Sequence, residues 1–123
     1  MANIADYVLD KALEVLDTEA DRIDITSQIA TTYTEATSTY SLGNSTSLAF
    51  GAPQNGDSSG RKVTSNIISN ASVTASGTAT HFAITDVSAT RLLATGALGT
   101  SQSVTSGNVF NLPAFDITIN DPS

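Results

Sequence analysis

The chain has 123 residues, 40% of them hydrophobic, with twelve acidic side chains against five basic ones, a formal charge of −7 and no cysteine. That length allows one domain burying roughly two-thirds of its extended surface, and the missing cysteines exclude disulfides, thiolate metal sites and cysteine nucleophiles. Only Arg61 and Lys62 are adjacent cations, so the clustered positive charge that phosphate backbones require is lacking, and no nucleic-acid partner is expected.

From the N-terminus, residues 3–16 predict an amphipathic helix. Ile4, Ala5, Val8, Leu9, Ala12, Leu13, Val15 and Leu16 fall on one broad face, and Asp6, Asp10, Lys11, Glu14 and Asp17 fall on the other. Asn3 is the expected N-cap, with Asp6 complementing the helix dipole. The helix packs on its own sheet in one reading and docks on a neighbouring subunit in the other. The N-terminus carries acids rather than a basic segment followed by an apolar run, so no signal peptide is expected. No stretch reaches the length of a membrane span, so no membrane partner is expected.

Residues 22–119 read as a β module, within a single domain covering 1–123. Arg22–Ser27 alternates and predicts a first strand with Ile23 and Ile25 inward. Tyr33, Ala36 and Tyr40 lie at helical spacing among poor helix formers, which predicts a helical turn or ordered loop. Ser45–Phe50 predicts a strand. Gly51–Gly60 predicts a long flexible loop whose Asn55-Gly56 suits a type I′ turn. Arg61–Ser69 predicts another strand, ended by a turn at Asn70-Ala71. From Val73 onward, short stretches rich in Thr, Ser, Ala and Gly are punctuated by Gly, Asn, Asp and Pro, with a tight turn expected at Thr105–Asn108. The sum is a mainly β antiparallel sandwich of about seven or eight short strands. Ile23, Ile25, Phe82, Ile84, Leu92, Val104, Phe110, Phe115, Ile117 and Ile119 are its expected core.

Catalytic patterns are sparse. His81 is the only histidine and sits in an alternating strand, with no Gly-x-Ser-x-Gly turn to present a nucleophile. Asp86 and Asp116 do not by themselves define a carboxylate pair. The acids Asp17, Glu19, Asp21 and Asp24 lack the glycine-assisted turn of a calcium loop. No phosphate-cradling glycine loop precedes Arg61-Lys62. No enzyme activity, cofactor or metal is expected. Asn44-Ser45-Thr46 and Asn70-Ala71-Ser72 match the glycosylation sequon, read here as chance matches in a Ser/Thr-rich chain.

Several landmarks occur together and in order. They are Ala5-Asp-Tyr-Val-Leu-Asp10, Asp17-Thr-Glu-Ala-Asp21, Thr31-Thr-Tyr-Thr-Glu-Ala36, Thr39-Tyr-Ser-Leu-Gly43 and Gly60-Arg-Lys62. Ser76-Gly-Thr-Ala-Thr-His81, Ser101-Gln-Ser-Val-Thr-Ser-Gly-Asn108, and the ending Pro113-Ala-Phe-Asp-Ile117 to Asp121-Pro122 follow. In this combination the chain resembles a family of short structural proteins of tailed bacteriophages, associated with the head. It departs from the family at Thr26-Ser-Gln-Ile-Ala30, where members often carry Cys-Ser-x-x-Pro. The resemblance implies a virion component on the capsid exterior: a decoration or cement protein that binds the major capsid protein and self-associates, as a trimer. It brings no catalytic residues. A tail, neck or fibre-tip component with a receptor- or glycan-binding role is the alternative, and a small hydrolase is the enzyme-class competitor. The expected partner contacts are Asp6, Asp10, Asp17 and Glu19 at the acidic N-terminal end, and Asn55, Gly56, Asp57, Arg61 and Lys62 around the long loop.

Overall fold

The computed structural model describes residues 4–120. One helix, α1 (Asp6–Glu19), is followed by strands β1 (Arg22–Thr26), β2 (Ser41–Ser45), β3 (Gln54–Asn55), β4 (Arg61–Thr64), β5 (Ile68–Val73), β6 (Gly77–Asp86), β7 (Arg91–Val104), β8 (Val109–Leu112) and β9 (Asp116–Ile119). Between β1 and β2 the chain makes a π turn at Glu35–Thr39. The architecture is mainly β, as the alternation predicts.

The strands form two antiparallel sheets, one ordered β7-β6-β1-β2-β5-β8 and one ordered β3-β4-β9. The larger sheet must curl. Its edge strands β7 and β8 are joined by only four residues, Thr105 to Asn108. Laid flat, six strands would separate these edges by about 24 Å, whereas the connection reaches at most about 18 Å. Thr105–Asn108 does close a turn, Asn108 N–H donating to Thr105 C=O at 3.0 Å. The turn bridges opposite edges of a curled sheet rather than a paired hairpin.

The core fills the curl. Leu13 and Leu16 of α1 pack with Ile23, Ile25, Leu42, Phe50, Val63, Ile68, Val73, Ile84, Phe110 and Leu112. Ile23, Ile25, Ile84 and Phe110 are buried as expected. Phe82, Val104, Phe115, Ile117 and Ile119 are only partly buried, because they line the open side of the curl and the small sheet. Leu92 points elsewhere, packing with Ala30, Ala36 and Ala83. A register shift between Ile84 and Thr85 pairs Ile84 with Ala94 but Thr85 with Leu92. A one-residue slip exchanges faces, so it is Leu93 that packs against the main core.

β1 departs from simple alternation: Ile23 through Thr26 are all buried. The π-turn segment covers its second face, so the carboxylate of Asp24 is enclosed. That charge is fully matched. Arg22 donates to it through Nε and Nη2 at 2.7 and 2.8 Å, and Ser41 Oγ donates at 2.6 Å. The same bond to Asp24 raises the already high Arg22 pKa. The covering turn is held by Glu35, whose carboxylate accepts from Thr31 N–H and Thr31 Oγ1, both at 2.8 Å. Tyr40 N–H donating to Glu35 C=O closes the wide turn.

Four local expectations are corrected. The helix is displaced toward the C-terminus, with Ala5 at the N-cap and no side-chain cap bond; Asn3 lies outside the described residues. The segment 45–50 is not a strand: β2 ends at Ser45, and Phe50 makes only an isolated bridge to Ser65. Asn55 and Gly56 both have negative φ, so the type I′ turn is not formed; Gly60 supplies the positive φ instead, at 69°. Asn70, at φ 55°, is not a turn between strands but an irregularity inside β5, where the register with β8 shifts between Ile68 and Ala71.

Candidate functional site: the outer face of α1 and the β3–β4 hairpin

Helix α1 carries more apolar surface than the fold uses. Leu9, Leu13 and Leu16, at helical spacing, are the buried stripe. Ile4, Tyr7 and Val8 remain 41%, 70% and 55% exposed, and Ala5 and Ala12 are exposed as well. Val8 and Ala12 therefore lie one turn apart beside the buried stripe, and Ile4 precedes the helix just before the Ala5 N-cap. Lys11 lies over the Tyr7 ring, its Nζ 5.4 Å from the centroid.

A charged strut fixes the helix to the small sheet. Arg61 of β4 donates to Asp10 through Nε at 2.7 Å and Nη2 at 3.3 Å. The same guanidinium donates to Asn55 Oδ1 at 2.7 Å and to Pro53 C=O at 3.3 Å. The bond it donates to Asp10 raises the Arg61 pKa, with Asp6 adding a longer-range attraction. Lys62 bridges Asp57 at 2.7 Å and Asp116 at 3.1 Å, and both bonds raise its pKa. Gly56 N–H donates to Gly60 C=O at 2.9 Å. The segment 51–60 contains β3 and is tied back to β4 by these bonds.

The expected contact residues divide accordingly. Asp10, Asn55 and Arg61 form one cluster, and Asp57 and Lys62 form a second with Asp116 and Thr64. Gly56 shapes the loop between them. Glu19, at the far end of α1, faces Arg91 at 3.6 Å. Asp6 and Asp17 carry no ion pair among the described residues and are exposed. All five cations of the chain, Lys11, Arg22, Arg61, Lys62 and Arg91, are engaged by carboxylates of the same molecule. The surplus charge presented outward is therefore acidic. Ile4, Tyr7 and Val8 escaped the sequence reading as exposed groups because periodicity assigns a stripe's width but not how much of it a sheet covers.

The remaining chemistry is dispersed. His81 is half-buried, with Nδ1 2.8 Å from Thr80 Oγ1. Asp86 is buried at the end of β6 and accepts from Ala89 N–H at 3.2 Å, whereas Asp116 sits in the other sheet. No group of three or more His, Cys, Asp or Glu that could hold a metal occurs among the described residues, and no helix there is long and apolar enough to cross a membrane. Comparisons with profiles of known families, with curated proteins and with solved structures find no match.

Proposed function

We propose that the protein is a bacteriophage capsid decoration protein, a non-catalytic cement that binds the major capsid protein on the outside of the shell and stabilises it. The supporting observation is the exposed apolar patch of Tyr7 and Val8 on α1 with Ile4 just before it, beside Asp6, which makes no direct ion pair, in a molecule whose cations are all internally engaged. Such a face complements a partner that offers an apolar depression edged by positive charge. The landmark order quoted above supplies the class of partner. In this reading copies sit as trimers on symmetry axes of the shell, and many modest contacts add through the lattice.

The test is a double variant, Tyr7→Ser with Val8→Ser. Both side chains are exposed, so the variant should unfold at the wild-type denaturant midpoint. It should nevertheless fail to bind particles assembled without the protein, and those particles should keep their shape but break at lower temperature than decorated ones. Undiminished binding by the variant, or bare particles as robust as decorated ones that fail to adsorb to host cells, would contradict the proposal. The second outcome would favour a tail or receptor-binding role.

A further inference from the structure

The outer face of the large sheet contains a concavity where β2 and β5 part. The two strands pair only at Gly43↔Val73 and Asn44↔Ser72. Beyond that point Ser45–Ser47 and Ser69–Ala71 diverge around a space of about 240 Å³. Every lining residue except Ala71 is Asn, Ser or Thr, and no charged side chain contributes. The side chains of Asn44, Thr46, Ser69, Asn70 and Ser72 make no hydrogen bond to another described residue, so their donors and acceptors are available to a ligand. The neighbouring strand adds two features. Asn111 Oδ1 accepts from Asn70 N–H at 2.8 Å and holds the positive-φ residue in place. Val109, 56% exposed, is the register partner of Ser72 and so presents an apolar ledge on the same face.

We propose that this cleft binds one ring of a neutral saccharide. Carboxamides and hydroxyls both donate and accept, which matches the mixed donor–acceptor surface of a sugar ring, and the Val109 ledge suits its C–H face. An anionic ligand would find no counter-charge here, on a molecule of net charge −7. A cationic one would find no carboxylate in the lining. The volume lies below the roughly 300 Å³ at which pockets for drug-sized ligands begin, which limits occupancy to about one ring. This inference is independent of the cement reading and concerns a different surface from α1.

The test is an amide-resolved NMR titration of the full chain with maltotriose, lactose, mannotriose and N,N′-diacetylchitobiose. At least one probe should give saturable shifts confined to residues 44–47, 69–72 and 109–111. Asn44→Ala and Asn70→Gly should each weaken that binding tenfold or more, glycine being chosen at 70 because it keeps the positive φ while deleting the amide. Absence of saturable shifts with all four probes, or shifts that both variants leave unchanged, would overturn the proposal.

Discussion

Gly60 shows how one side chain, or its absence, sets the local geometry. Its φ of 69° lies in the left-handed region, and a Cβ there would collide with the backbone carbonyl of Ile119 across the small sheet. Gly99, in β7, has open space around it. Gly60→Ala should therefore cost about 1–3 kcal/mol, the range for a strained backbone position. Gly99→Ala should change stability by no more than about 0.5 kcal/mol. Denaturant midpoints of the two variants check this; equal effects would show that the β3–β4 loop does not depend on the Gly60 conformation. Gly96 has a related but different role: an added Cβ would meet the Phe82 ring at 2.7 Å, so its bareness lets the aromatic lie across the strand. Phe82 in turn lies 4.7 Å from Phe115, whose other neighbour Phe50 meets it edge-on at 6.1 Å. At this scale alternation located the apolar residues well. It could not reveal that Phe115 stays partly exposed or that Asp24 is buried, because those depend on what covers each face.

Among the elements, the β4–β9 pair carries the clearest electrostatic dependence. Asp116 accepts from Thr64 Oγ1 at 2.6 Å and from Lys62 Nζ at 3.1 Å, and these two bonds, the first the larger, lower its pKa. Glu35 is lowered similarly by the N–H and hydroxyl of Thr31. A carboxylate with a depressed folded-state pKa stabilises fully above its ordinary value, about 4, and loses that contribution as pH falls through the folded value. Stability should accordingly be level from neutral pH down to about 4 and decline below it. The decline should be shallower in Asp116→Asn, measured by thermal unfolding across pH; an identical profile would show that Asp116 is not a source of the acid sensitivity. Boundaries were the least legible feature of the elements. The helix lies three residues further along than expected, from an N-cap at Ala5 to Glu19. The turn signal at Asn70-Ala71 proved to be a strand irregularity, since Asn tolerates positive φ in either setting.

For the whole molecule, the short β7–β8 connection forces the curl, and the two edges do not zip together. An apolar opening of about 90 Å³ remains between Leu98 of β7 and Leu112–Pro113 at the end of β8, with Phe82 and Phe115 also lining it. The mainly β class was readable from turn spacing. The division into a curled six-stranded sheet and a small three-stranded one was not, because partner choice among similar Ser/Thr-rich strands leaves little trace in local pattern. The acidic N-terminal end was legible as charge, but the pairing of every cation was not. That pairing narrowed the candidate contact surface to the outer face of α1. The cement proposal is tested most directly by counting copies of the protein on purified heads that lack tails, by quantitative mass spectrometry. The expected result is a fixed ratio to the major capsid protein, with the protein on the outer surface and accessible to protease. Absence from tail-less heads, or a few copies found only on tailed particles, would contradict it.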